Sequence, residues 1–362
     1  MINPNDIKEF EKNSVINLYK QINQEIISLM INKLQKTEFT DYNIKQIRRM
    51  AKKESKSIVE EVIKKTNKLN NEQKRQLRSL LTELELMQMS RYERLYKERD
   101  IDLSIPESLP KLIMAIYKRT NKELKNITKS LAFKSQEEYI KAIDELFMKV
   151  ATGKSDYSSA MKSTINNLAD RGIRLKDSAG RNVKLETAVR RNLMTGLTQM
   201  ANEISEEVGK VIGANCVVIG HTPYCRPTHE VIDGVVMSLE EFSKYEHLTT
   251  EPNCYHIVNY DWRPEFSKLN RKEVIYNGHL TKKEYEENYL TRNRQTELAR
   301  RVRNHKEKVN ILQKSNLTKD NESILETAKR NLRKAQLDYR NFCKFNHIDI
   351  DYDLVWQHGY NK

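Results

Sequence analysis

Apolar residues along the first part of the chain recur mostly three and four positions apart. Between residues 5 and 36, Ile7, Phe10, Val15, Leu18, Ile22, Ile26, Leu29 and Ile31 keep this spacing, the period that lines one face of an α-helix. At a rise of about 1.5 Å per residue, such a helix would exceed about 40 Å. A second stretch, 58–96, carries Val62, Leu69, Leu77, Leu80, Leu84 and Leu95 in the same manner, and the polar residues Lys68, Asn70 and Asn71 predict a break inside it. The two stretches are expected to pair. Ile105-Pro106 and Leu109-Pro110 then end the pattern, because the residue before proline avoids the helical region and proline has no amide hydrogen. A domain boundary is placed there.

Beyond that boundary, 111–125 and 137–150 read as separate helices, the second opened by Ser135 with Glu138 three residues on, the arrangement of a capping box. Gly153 ends it. Residues 155–215 predict two helices flanking a polar turn at 177–180. The pattern next changes to short β-branched runs, with Cys216 to Gly220 and Val235 to Met237 as strands and Asp233-Gly234 as a turn dipeptide between them. Ser238 with Glu241 marks a helix start in this β-rich region.

After residue 281, Leu298, Val302, Val309 and Leu312, and later Leu325, Ala328, Leu332, Ala335 and Tyr339, occupy seam positions of a coiled coil. The polar run SNLTKDNES separates them. Each is too short for a long rod, so an antiparallel hairpin within the chain is expected. The fold class is therefore α+β and predominantly α-helical. Residues 1–104 form a long-helix region, 105–280 a small mixed α/β domain, and 281–362 a basic helical hairpin and tail.

Composition narrows the partners more than the fold. The chain has 362 residues, 31% of them charged and 38% hydrophobic, with a formal net charge of +14. That balance suits a soluble, helix-rich protein with anionic partners such as nucleic acid, acidic protein surfaces or anionic lipid. No run of 18 apolar residues occurs and the N-terminus lacks a leader pattern, so neither a membrane span nor a signal peptide is expected. Cysteines at 216, 225, 254 and 343 show no paired spacing, which suits a reducing compartment.

The cationic residues Arg292, Arg294, Arg300, Arg301, Arg303, Lys306 and Lys308 accumulate on the first C-terminal helix with few acids. They form either a solvated helix face or a contact for DNA phosphates or an acidic protein surface. No helix-turn-helix or zinc-finger signature is present, and no aromatic residues interleave the basic run as stacking platforms would require. Any DNA contact would therefore run through phosphates.

Candidate chemistry concentrates between 216 and 266. His221, Cys225, His229, Cys254 and His256 offer the nitrogen and sulfur ligands that zinc prefers, and four of them around an ion would stabilise a sheet with little core of its own. Five candidates compete for four places, and the alternative is a set of hydrogen-bonded, packed side chains. His221, His229, Cys254 and His256 with Asp233 would also be the set for a metal-assisted hydrolase. A phosphate-binding Gly loop, a Gly-x-Ser-x-Gly elbow and a His-Glu-x-x-His helix are all missing from the sequence.

The same stretch resembles the phage minor capsid protein 2 family, related to phage Mu F-type minor head proteins. The likeness lies in His221, in Arg226-Pro227-Thr228-His229, in Gly234-Val235-Val236 and in Asn253-Cys254-Tyr255-His256. It continues in Ala151 to Ile173, in Glu186 to Met200 with the Arg190-Arg191 pair and Thr195, in Arg294 to Val309, and in Asn341 to Asp353. Ile232-Asp233-Gly234, Tyr255 and Cys225 depart from the family's usual residues.

The resemblance implies a structural minor head protein of a tailed phage or prophage. It would be made in the host cytoplasm and held inside the capsid, in contact with portal, capsid or scaffold proteins and with packaged double-stranded DNA, acting in head assembly, DNA packaging or ejection. The N-terminal helices would present an apolar stripe to the portal. The resemblance further implies that the α/β domain is related to the ADP-ribosyltransferase fold. Glu230, Glu240 and Arg226 are the residues such a transferase would have available. The alternative reading is an enzyme delivered with the virion, an ADP-ribosyltransferase or a metal-dependent hydrolase, or a non-specific DNA-binding protein.

Overall fold

The computed structural model describes residues 15–37, 44–97, 106–177, 180–222, 225–251, 254–263 and 282–356. Its long helices are α1 (Val15–Leu34), α2 (Ile44–Lys97), α3 (Leu109–Ala151), α4 (Tyr157–Arg171), α5 (Leu185–Val211), α8 (Lys282–Lys314) and α9 (Glu322–Phe345), with short α6 (Leu239–Ser243) and α7 (Glu246–Thr249). Strands β1 (Arg174–Lys176) and β2 (Asn182–Lys184) make an antiparallel hairpin. Strands β3 (Cys216–Ile219), β4 (Val236–Ser238) and β5 (Val258–Asp261) make an antiparallel sheet in the order β4-β3-β5. The fold is thus α+β with helix predominant, and α8 and α9 are the C-terminal helical pair. No helix of the described residues is long and apolar enough to cross a membrane.

Two compact units share the chain. One comprises Met1–Ile16, Glu72–Leu124 and Val189–Arg292, and the other Asn17–Asn71, Lys125–Ala188 and Asn293–Lys362. Neither coincides with a consecutive region of the sequence, because α2, α3, α5 and α8 each contribute residues to both.

The expected breaks within α2 and α3 are absent, for a common reason. In α2 the buried face runs through Ile58, Val62, Thr66, Leu69, Gln73, Leu77, Leu80 and Leu84. Thr66 and Gln73 hold stripe positions, with Thr66 Oγ1 donating to the Ile63 carbonyl at 2.9 Å and Gln73 Nε2 to Asn121 Oδ1 at 3.1 Å. Asn71 is exposed, and its weak helix propensity, costing about 0.5 kcal/mol, does not stop a helix held by such a face. In α3 the stripe passes through Leu124, Thr128, Leu131, Ser135, Tyr139 and Ile143. Ser135 is fully buried and its hydroxyl donates to the Leu131 carbonyl at 2.6 Å, so it bridges two turns of one helix and does not cap a second. Pro110 lies in the first turn of α3, where its missing amide hydrogen costs nothing.

Helix α1 is buried on nearly all sides. Ile16, Tyr19, Ile26, Ile27, Met30, Ile31 and Leu34 are wholly enclosed, and so is Gln24. Several of its polar residues find partners in its own unit. Asn23 Nδ2 donates to Glu307 Oε1 at 2.8 Å, its Oδ1 accepts the Ile173 amide at 3.0 Å, and Ser28 Oγ donates to the Ile311 carbonyl at 3.0 Å. The apolar stripe expected to meet the portal is therefore taken up inside the chain. Residues 5–14, including Ile7 and Phe10, lie outside the described residues.

The other unit carries the candidate site. Helix α5 supports its sheet closely, for a Cβ added at Gly209 would come within 2.5 Å of Tyr260 Cβ on β5. Asn202 and Ser205 of α5 accept the outward amides of β5, from Val258 at 3.0 Å and from Tyr260 at 2.7 Å. The sheet's core is small, drawn from Val217, Ile219, Ile232, Val235, Met237 and Phe242 with a few neighbours.

Gly209→Ala is accordingly expected to destabilise the protein by about 1–3 kcal/mol through overpacking, despite the gain of about 1 kcal/mol in helix propensity. Urea denaturation followed by circular dichroism measures the change. A neutral or stabilising result would contradict the close approach of α5 to β5.

Candidate metal-binding site

Strand β3 delivers the chain to His221 and Thr222, and a single 3₁₀ turn, Pro227–His229, places His229 in the interior. Arg226 precedes that turn in extended conformation and Pro227 opens it, where its fixed φ is pre-set for the turn. Gly234, at φ 64°, turns the chain into β4. As predicted, Ser238 caps α6, its hydroxyl accepting the Glu241 amide at 3.0 Å. The segment after α7 brings Cys254 and His256 back to the start of β5.

Asp233, wholly buried, is the centre of these connections. Its Oδ1 accepts the Thr222 amide at 2.7 Å and faces His256 Nε2 at 3.0 Å, while Oδ2 faces His221 Nδ1 at 2.7 Å. Burial works against its charge, yet the hydrogen bonds to His221, His256 and the Thr222 amide hold its carboxyl below the usual aspartate value.

The two buried histidines are arranged alike. His229 turns Nε2 to Glu251 Oε2 at 3.0 Å, and its Nδ1 lies 3.6 Å from Cys254 Sγ. His256 turns Nε2 to Asp233, and its Nδ1 lies 3.3 Å from the same sulfur. Their ring centroids are 5.5 Å apart. Glu251 is also paired with Arg226 at 3.1 Å. Burial holds the His229 imidazole below its ordinary value against the pull of Glu251. At His256 burial likewise opposes the charge, but hydrogen bonds to Asp233, Cys225 and Cys254 push the pKa up to about 11.

Ligand atoms of His229, Cys254 and His256 lie within 4.8 Å of one another, as do those of Cys225, Asp233 and His256. The structure thus brings three of the five predicted ligands, His229, Cys254 and His256, to one point, and sets Cys225 beside His256 in a second group with Asp233. His221 sits at the rim, its side chain 46% exposed, and reaches the cluster only through Asp233. A cavity of about 220 Å³ borders Cys254 and is lined in part by Glu203, Glu206, Glu246 and Glu251. None of the four buried cysteines is in a disulfide. Of the transferase candidates, Arg226 is committed to Glu251, Glu230 is half-buried and Glu240 is exposed. Arg190 and Arg191 are half-buried on α5, and Asn253 lies outside the described residues.

The predicted basic stripe on α8 is unevenly available. Lys308 is buried and pairs with Asp170 at 2.8 Å; Lys306 donates to the Val355 carbonyl at 2.9 Å and Arg303 to that of Leu354. Arg294 and Arg301 share Glu297, Arg292 is half-buried and Arg300 is exposed. A cationic face that the sequence reading overlooked lies on α9. Arg330, Arg333, Lys334, Arg340 and Lys344 are all exposed. Their spacing sets them on one side of the helix, opposite the buried Ala328, Leu332, Tyr339 and Cys343.

The family model for phage minor capsid protein 2 matches residues 2–344. No curated protein matches the chain. No solved structure matches it either.

Removing the central carboxylate is expected to cost far more than removing its exposed partner. Asp233→Ala strands the Thr222 amide and the His256 ring in the interior and should lower the unfolding free energy by about 3 kcal/mol. His221→Ala should cost about 1 kcal/mol, since water can then reach the freed oxygen. Parallel urea titrations check the ranking, and equal losses would contradict it.

Proposed function

The chain belongs to the phage minor capsid protein 2 family, and from that premise we infer that this structural phage head protein lies inside the capsid at the portal and meets packaged double-stranded DNA through the α9 face of its C-terminal hairpin. Membership of the family supports a place in the head. Portal association, capsid interior and a part in packaging or ejection follow from the family's character and not from a surface of the molecule. The observation that carries the DNA contact is the exposed row from Arg330 to Lys344, which spans about 21 Å along the helix axis. A duplex presents one phosphate per about 1.7 Å of axis, so several contacts can form at once. With no base-reading element among these cations, the contact is expected to be indifferent to sequence.

Two measurements test this reading. In salt-titrated binding to long duplex DNA, Arg330→Ala, Arg333→Ala and Arg340→Ala should each reduce the salt slope by about 1. Lys308→Met should leave it unchanged, because that ammonium is occupied by Asp170. Unaltered slopes in the α9 variants would remove the proposed DNA surface. For the location, the chain should be found in purified particles and should co-purify with portal rings from cells making both. Particles lacking it, or portal rings recovered without it, would overturn the placement.

A further inference from the structure

We propose that Cys225, His229, Cys254 and His256 hold a structural zinc ion, bound through both sulfurs and both Nδ1 atoms, with Asp233 and Glu251 as the carboxylates that orient the two rings. The proposal goes beyond the DNA contact and is independent of it. Three features of the geometry converge.

The spacing comes first. Zinc binds sulfur at about 2.3 Å and imidazole nitrogen at about 2.0–2.1 Å, so neighbouring sulfur and nitrogen corners of a tetrahedron stand about 3.5 Å apart. Cys254 Sγ lies 3.6 Å from His229 Nδ1 and 3.3 Å from His256 Nδ1. Cys225 groups with His256 and Asp233, and its sulfur closes on the other three ligands to supply the fourth corner when the ion is bound.

The outer hydrogen bonds come second. In each ring Nε2 is bound to a carboxylate, at 3.0 Å in both cases. This fixes the hydrogen on Nε2 and leaves the Nδ1 lone pair aimed inward, the arrangement that holds a metal-bound histidine in place. The Cys254 sulfur faces both Nδ1 atoms at once. A cation satisfies both, together with the thiolates.

The third feature is enclosure. The four residues are at most 8% exposed, and two thiolates balance the charge of a divalent ion. Four protein ligands without an open position describe a structural site and not a catalytic one, in keeping with a structural head protein. Asp233 is assigned to the outer layer because its oxygens already meet the Thr222 amide and the rings of His221 and His256, and His221 because it reaches only Asp233. The acid-lined cavity beside Cys254 gives a cation its entry. Such an ion would tie the turn after β3 to the approach to β5, across a sheet with few core residues.

The test uses the full chain, purified without chelator from zinc-supplemented cells. Elemental analysis should find zinc equimolar with the chain, and cobalt exchanged for it should give tetrahedral d–d absorption with thiolate charge-transfer bands. Dialysis against a chelator should lower the melting temperature, and zinc but not magnesium should restore it. Cys254→Ser and His229→Ala should lose most of the metal, while Cys343→Ser and His221→Ala should keep it. Wild-type protein without zinc, without a cobalt spectrum and with a melting temperature indifferent to chelator would overturn the proposal in favour of a proton-bonded cluster, and this readout stands even if a variant fails to fold. Zinc retained at full stoichiometry by a folded Cys254→Ser or His229→Ala would overturn the ligand assignment.

Discussion

Asp233 offers two oxygens to three groups, the Thr222 amide and the rings of His221 and His256, and does so without access to solvent. A buried carboxylate left unpaired would cost several kcal/mol, so these partners are a condition of the fold and not an ornament of it. The bond to the Thr222 amide fixes the exit from β3. The bond to His256 fixes the approach to β5, and through that ring the side of the imidazole that faces Cys254. Because β3 is the central strand of a small sheet, the path of both loops and the order of its neighbours depend on one side chain.

The other unit meets a different demand with the same physics. Helix α1 is largely enclosed, yet it carries Asn23, Gln24 and Ser28. Each is answered, Gln24 by Lys314 Nζ at 2.8 Å, Ser28 by the Ile311 carbonyl, and Asn23 by Glu307 and the Ile173 amide. Lys184 also donates to Glu307, at 2.9 Å. Apolar enclosure supplies the driving force for association, while these pairs fix the register between α1 and α8.

How much of this could be read in advance depended on whether a signal was local. The Ser238 cap, the Gly153 stop, the strands around the Asp233-Gly234 turn and the C-terminal hairpin each arise from residues close in sequence, and each is present. The family, too, was legible in short ordered segments, and the match over 2–344 bears it out. The break expected in α2 came from the polar residues Lys68, Asn70 and Asn71, and that in α3 from reading Ser135 with Glu138 as a cap, whereas Leu69 and Ser135 are buried members of stripes that run on through both places. Nothing in the sequence distinguished those states. The β1–β2 hairpin escaped notice because three-residue strands carry too little alternation. In the His/Cys cluster the residue types were evident, but the role of Asp233 was hidden by its place beside Gly234, where a turn residue is ordinary. The cations of α9 were passed over because they alternate with seam residues, whereas those of α8 sit side by side and several proved to be occupied.

The outward amides of β5 have consequences for how this chain meets others. A strand at the margin of a sheet usually offers such groups to any extended segment nearby. Here Asn202 and Ser205 occupy those positions from the side of α5, so that margin is closed to strand addition by a neighbouring subunit. Contacts of this flank with any other chain then run between side chains, and the strand offers no template for open-ended sheet growth.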